Sequence, residues 1–269
     1  MSETILLPVF VARLPPRAGS FLRWSGALAA VFVPHCPSAS AAPADVCAQL
    51  GGNWSVGEQF CGKVVVNANQ TKTVLEARYP ADLVESGASG SALQKYLKDF
   101  IARFSKVTDD PRATDGGATL RYRQFEHPPA LTSVLFSNIY YTGNAKYPVE
   151  ELTSFTFDAA KGRALALPDL FQSGERALSD LARLARPTVQ SQLEPVNEVR
   201  AGENQPPLRA EDFDPGGLLN PGSYPVFVVS ADELVLYMPQ VRSGEPGSAM
   251  IEAHIPLSSL RDMLRPEYR

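Results

Sequence analysis

The N-terminus constrains this chain most, because it decides where the chain folds and how much of it takes part. Arg13, Arg17 and Arg23 form a basic flank. An apolar run follows at residues 24–33 (WSGALAAVFV), then a small-residue stretch at 38–44 (SASAAPA). Basic, apolar and small residues in that order are the pattern of a secretory signal peptide. A run of about ten apolar residues is half of the roughly 20 that a membrane-spanning helix needs. Ala39 and Ala41 supply an A-x-A pattern and place cleavage after Ala41, although cleavage after Ala44 satisfies it as well. The expectation is a leader over residues 1–41 and a secreted, extracellular mature chain, with cell-wall association left open.

The cysteines follow from that expectation. Cys36 falls within the leader, so Cys47 and Cys61 remain as an even pair in an oxidising compartment. Bridging them closes a loop of about 15 residues, worth roughly 3 kcal/mol in the chain-entropy model. Lipidation of Cys36 fits badly, because Pro34 and His35 stand where a lipobox places small residues. Zinc at Cys47 and Cys61 fits badly too: the spacing is wrong and no nearby His completes four ligands.

Removing residues 1–41 takes away three Arg and one Glu and moves the net charge from −4 to −6. An acidic exported chain argues against nucleic-acid or anionic-membrane binding, which need clustered Lys and Arg. The length left is ample for a sizeable core. No later stretch approaches a spanning helix, so no transmembrane anchor is expected after cleavage.

Residues 45–62 (DVCAQLGGNWSVGEQFCG) read as a disulfide-tied, glycine-rich loop, and residues 63–80 as strand with a turn at 67–70. Residues 91–107 form the clearest helix, with Leu93, Tyr96, Leu97, Phe100, Ile101 and Phe104 on one face. Strand patterns follow at 118–127, 131–141 and 147–158, the last two joined by the hairpin loop 142–146 (TGNAK). A second helix spans 176–193, with Pro187 expected to kink or divide it. Residues 194–224, rich in Pro, Gly, Asn and acids, read as a long surface segment. Strands at 225–230, 233–238 and 249–255 and a helical turn at 257–264 close the chain. Strands joined by hairpins and separated by two helices predict an α+β fold: a largely antiparallel sheet packed with two main helices, and one disulfide. We divide the mature chain into an N-terminal subdomain, 42–116, and a C-terminal one, 117–269.

Two segments carry a resemblance. Residues 133–172 (SVLFSNIYYTGNAKYPVEELTSFTFDAAKGRALALPDLFQ) run strand, loop, a strand ending in Phe-Asp, a basic turn, then a leucine and aromatic landing. Residues 225–264 run strand, acidic turn, apolar strand and a closing I-P-x-S-x-[IL]. In this order they resemble the secreted mycobacterial immunogenic protein family, which is related to the lysozyme-binding ectodomains of certain anti-sigma factors. The resemblance covers most of residues 45–264. It implies a secreted α+β protein, with lysozyme binding in some members and weak ester hydrolysis proposed in others. One departure stands out: the family loop often reads Gly-Gly-x-His-Pro, and here it is Asn144-Ala145-Lys146-Tyr147-Pro148. Residues 47–67 (CAQLGGNWSVGEQFCGKVVVN) are also similar to the C…GG-x-W…C modules of mannan-binding lectins.

Catalysis has little to stand on. The nucleophile-elbow pattern G-x-S-x-G is absent, and Gly87-Ala88-Ser89-Gly90-Ser91 is its nearest approach. The mature chain has two histidines, His127 and His254, and one of them would have to be the base of any triad. No catalytic residue, metal site or cofactor is assigned. Asp212, Asp214 and Gly216 hint at a calcium loop but lack the EF-hand spacing. No phosphate-binding glycine loop is present.

Binding is the class the residues favour. Tyr140, Tyr141 and Tyr147 flank the hairpin loop, with Asn144 and Lys146 between them. Aromatic faces stack on sugar rings, amides and ammonium groups bond sugar hydroxyls, and Tyr is also frequent at protein hot spots. Two readings stand for Tyr140 and Tyr141, ligand contact or half-buried strand residues, and two for Trp54, ligand contact or core cap. The expectation is a non-catalytic binding protein. Its ligand is a glycan (mannan or peptidoglycan) or an extracellular protein such as lysozyme, with weak ester hydrolysis as the alternative.

Overall fold

The structure is a computed structural model and describes residues 43–141, 147–239 and 250–269. These fold as α+β with ten strands in two sheets. The expected leader and the hairpin loop with Asn144 and Lys146 lie outside the described residues.

The N-terminal part is more regular than its glycines suggest. A short helix, α1 (Pro43–Gln49), buries Val46 and Cys47. The Cys47–Cys61 disulfide ties it to β2 (Phe60–Val66), with Cα atoms 5.4 Å apart. Between them, β1 (Asn53–Ser55) pairs antiparallel to β2, and β2 to β3 (Lys72–Ala77). The expected loop is therefore helix and strand, too short for a periodic pattern to show. Gly52 explains one glycine: a Cβ there would stand 2.6 Å from the Cys61 sulfur.

Two helices, α2 (Ala81–Val84) and α3 (Gly87–Phe104), carry the chain over to β4 (Gly116–His127), which pairs parallel to β3. The α3 helix begins four residues before the expected Ser91. Gly90 permits this, because a Cβ would lie 2.4 Å from the Val84 carbonyl oxygen. The chain then meanders through β5 (Leu131–Tyr141), β6 (Val149–Asp158) and β7 (Arg163–Leu165), all antiparallel. The resulting seven-stranded sheet runs in order β1 to β7 and spans both segments of the mature chain.

After two 3-10 turns comes α4 (Ala177–Gly202). It continues through Pro187 and Pro195, where the sequence predicted a kink and then a surface segment from 194. Both prolines are on the exposed side, so the carbonyls they leave unbonded reach water. The buried stripe Leu178, Leu181, Ala182, Ala185, Val189 and Leu193 holds the helix in place. Strands β8 (Val226–Val229), β9 (Glu233–Tyr237) and β10 (Glu252–Pro256) form a second antiparallel sheet, and the helical turn α5 (Leu257–Leu260) follows.

Alternation assigns the faces. Leu75, Ala77, Leu120, Val134, Phe136 and Phe157 turn toward α3, and with Leu93, Leu97, Phe100 and Ile101 they make one core. Leu135 turns the other way and packs on Val228, Val235 and Tyr237 of the small sheet. The far face of that sheet, Phe227, Val229, Leu234, Leu236, Ala253 and Ile255, packs on α4. The layers are helix, large sheet, small sheet, helix. Two serines fasten the sheets: Ser133 Oγ accepts from the Val229 N–H at 3.0 Å, and Ser154 Oγ from the Phe227 N–H at 2.9 Å. These side chains cap the outer edge of β8.

Candidate functional site

Tyr140 and Tyr141 are neighbours on one strand, so they point to opposite faces. Tyr140 is held from all sides. Its ring lies 5.0 Å from that of Phe104 and under the Arg103 guanidinium, 4.9 Å away. Its hydroxyl donates to Glu151 at 2.8 Å and accepts from Arg103 at 3.2 Å, while Arg103 grips both oxygens of Glu151. Burial pushes the Tyr140 hydroxyl pKa up, and Glu151 adds to the rise. Tyr140 is thus part of a closed network between α3 and the sheet.

Tyr141 is 49 % exposed. Its ring lies against Gly117, its register partner on β4, where a Cβ would stand 2.9 Å from the ring. The missing side chain lets the ring settle on the strand and present its other side outward. Beside it a cavity of about 320 Å³ opens where β4 begins and β5 ends. Its lining includes Tyr141, Phe104, Thr73, Thr114, Lys106 and Asn67. That volume is at the lower end of ligand sites, about 300–1,000 Å³. Asn67 is committed: it donates to Thr71 and accepts the Thr108 N–H. Among the described residues, Lys106 has no carboxylate within ion-pair distance, and the hydroxyls of Thr73 and Thr114 make no hydrogen bond. The exposed Tyr141 ring, the Lys106 ammonium and the Thr73 and Thr114 hydroxyls thus share a cleft with the Asp110 carboxylate and with Arg103, which is bound to Glu151.

The other predicted contacts are placed elsewhere. Trp54, half-buried on β1, sits opposite Cys61 with its ring 5.5 Å from that of Tyr79. It covers the disulfide end of the core. Three strands lie between β1 and β5, so four inter-strand steps separate them, about 19 Å at the usual spacing. Trp54 and Tyr141 therefore do not belong to one small site. Tyr147 is half-buried just before β6. Thr73, Lys106 and Thr114 carry no sequence signal of their own; the Gly116-Gly117 pair is the only local mark of the cleft.

The histidines are engaged without a nucleophile. His127 Nδ1 lies 3.3 Å from the Ala231 carbonyl. His254 bridges Glu233 at 2.9 Å and Glu252 at 3.2 Å, and the Glu233 bond leads in raising its pKa. Among the described residues neither ring is hydrogen-bonded to a Ser or Thr hydroxyl, and no group of three or more His, Cys, Asp or Glu is placed to hold a metal. No helix among them is long and apolar enough to cross a membrane.

No protein-family model matches the sequence, and no curated protein matches it. Solved structures do. A DUF3298 family protein from Pseudomonas aeruginosa PAO1 superposes with a TM-score of 0.50 at 14% identity, covering 78% of this chain and 93% of that one. A DUF3298 family member from Bacteroides fragilis NCTC 9343 gives a TM-score of 0.44 at 12% identity, with 77% and 92% covered. At this identity the Pseudomonas likeness is one of fold.

Proposed function

We propose that this chain is a secreted, non-catalytic binding protein of the cell envelope or extracellular space, and that its ligand is a glycan such as mannan or a peptidoglycan fragment. The observation that carries the reading is the exposed Tyr141 ring, seated on Gly117 beside a cleft with the Lys106 ammonium and the Thr73 and Thr114 hydroxyls. A sugar ring stacks on such a face, and its hydroxyls take the polar groups. The leader-like N-terminus, the disulfide and the resemblance to the secreted mycobacterial immunogenic proteins support export. An extracellular protein such as lysozyme is the other ligand class the resemblance supports.

The test is a glycan array that also carries lysozyme, probed with the oxidised protein from residue 42 onward. Saturable binding lost in Tyr141→Ala and kept in Trp54→Ala is the expected result. Binding that survives Tyr141→Ala removes the cleft from the account. One observation favours weak ester hydrolysis as a second reading: His127 and Ser258 line the same cavity of about 510 Å³. That reading requires ester turnover that disappears in both His127→Ala and Ser258→Ala.

A further inference from the structure

Edge strands present unpaired backbone groups, and folds blunt them. Here β1 and β7 are three residues each. The β8 edge is capped by Ser133 and Ser154. At β10 the Gln192 amide both donates to the Glu252 carbonyl at 2.7 Å and accepts its N–H at 3.1 Å, and Pro256 ends the strand. Two longer stretches remain: β4 beyond Leu120, where its pairing with β3 ends, and β6. The β6 strand has ten residues, and β7 pairs only with Thr156, Phe157 and Asp158. Over residues 149–155 the lane beside β6 holds no described strand.

The direction of each backbone group follows from two bonds. The Ala159 N–H donates to the Ala130 carbonyl, toward β5, while the Asp158 carbonyl accepts from Gly162, toward β7. Alternation then turns the N–H and C=O groups of Glu150, Leu152 and Ser154 into the lane. None of these main-chain groups bonds to a described residue. The lane is about 23 Å long at the usual rise per residue. Beside it, Leu152, Val226, Tyr237, Met238 and Met250 line a cavity of about 210 Å³. Glu150 lines the same cavity; its carboxylate accepts from Ser137 and has no Lys or Arg within ion-pair distance among the described residues.

From this we propose that residues 149–155 of β6 are a docking edge for an extended polypeptide segment of a partner protein, added as a strand in line with β7. Main-chain hydrogen bonds to Glu150, Leu152 and Ser154 supply affinity, and pockets for alternate side chains supply specificity. The segment carries an aliphatic side chain for the Leu152 cavity and a Lys or Arg for Glu150. This deepens the protein-ligand branch of the reading above, at a place separate from the Tyr141 cleft.

The probe is a phage library of random linear dodecapeptides, panned against the oxidised protein from residue 42 onward. Enriched peptides are expected to alternate aliphatic and basic residues. Added as synthetic peptides, they should slow hydrogen exchange at the amides of Glu150, Leu152 and Ser154 above their neighbours. Glu150→Lys should weaken them by about tenfold or more, as loss and reversal of an ion pair implies. Leu152→Pro removes a lane-facing N–H together with the Leu152 side chain and should abolish binding; N-methylation of the peptide at alternate amides tests the main-chain bonds alone, from the other side and without touching the fold. Tyr141→Ala should leave these peptides bound and so separates this proposal from the glycan reading. No enrichment, or peptides that bind without protecting those three amides, overturns it. So does protection of the same amides with protein concentration alone, which would give the lane to a second copy of this chain.

Discussion

Removing one hydroxyl, in Tyr268→Phe, tests how the C-terminus is locked. Asp158, at the end of β6, is 2 % exposed. Its carboxylate accepts from the Tyr268 hydroxyl at 2.6 Å, the Lys161 ammonium at 3.0 Å, and the N–H groups of Ala160 and Lys161 at 3.0 and 2.9 Å. Burial alone would push its pKa up. The bonds from Tyr268 and Lys161 outweigh burial and bring it from an ordinary 3.8 down to about 2. A pKa lower in the folded state gives stability that is complete above the unfolded value and is lost as pH falls through the folded one. At about 1.36 kcal/mol per pH unit, this carboxylate contributes about 2 kcal/mol at neutral pH, lost between about pH 4 and pH 2. Tyr268→Phe deletes one hydrogen bond to a charged group, about 1.5–3 kcal/mol. It also lets the Asp158 pKa rise, so the acid-dependent loss shrinks. Urea unfolding across that pH range measures both, read from the midpoint at constant slope. The reasoning fails if Tyr268→Phe changes neutral stability by less than about 0.5 kcal/mol and leaves the acid limb unchanged.

Ser133→Ala should cost about 1–3 kcal/mol, because the fully buried Val229 N–H loses its acceptor and Thr156 its partner at 2.9 Å; urea unfolding reads this. Breaking the Cys47–Cys61 bridge by Cys61→Ser should cost roughly 3 kcal/mol and lower the melting temperature by about 6–12 °C, and calorimetry of the reduced wild type should show the same drop. Gly117→Ala pushes a methyl to 2.9 Å from the Tyr141 ring and should swing it off the strand; glycan binding should fall toward that of Tyr141→Ala, and unchanged affinity would show that Gly117 does not position the ring.

Much of the fold was legible wherever a local period carried it. Leu93, Leu97, Phe100 and Ile101 repeat at helical spacing, and α3 buries all four. Residues 131–141 carry the most apolar of the strand patterns, and β5 is paired on both sides, to β4 over Leu131–Tyr141 and to β6 over Leu131–Tyr140. The α4 helix misled, because proline chemistry is local whereas the stripe from Leu178 to Leu193 is held by partners far along the chain. In the site, the cluster of tyrosines was legible, but the division of labour was not. Two adjacent strand residues face opposite ways, and only the position of α3 decides that Tyr140 is locked and Tyr141 is open.

The sequence by itself determined the cysteine pair, the alternation of strands and helices and the α+β class, since each rests on residue type and short-range period. Tertiary structure alone decided that β3 and β4 pair in parallel, that a second sheet lies on the first, and that Lys106, Thr73 and Thr114 meet Tyr141 at one cleft. These are choices of partner between distant segments. They are made by which faces bury together, and no local pattern records that.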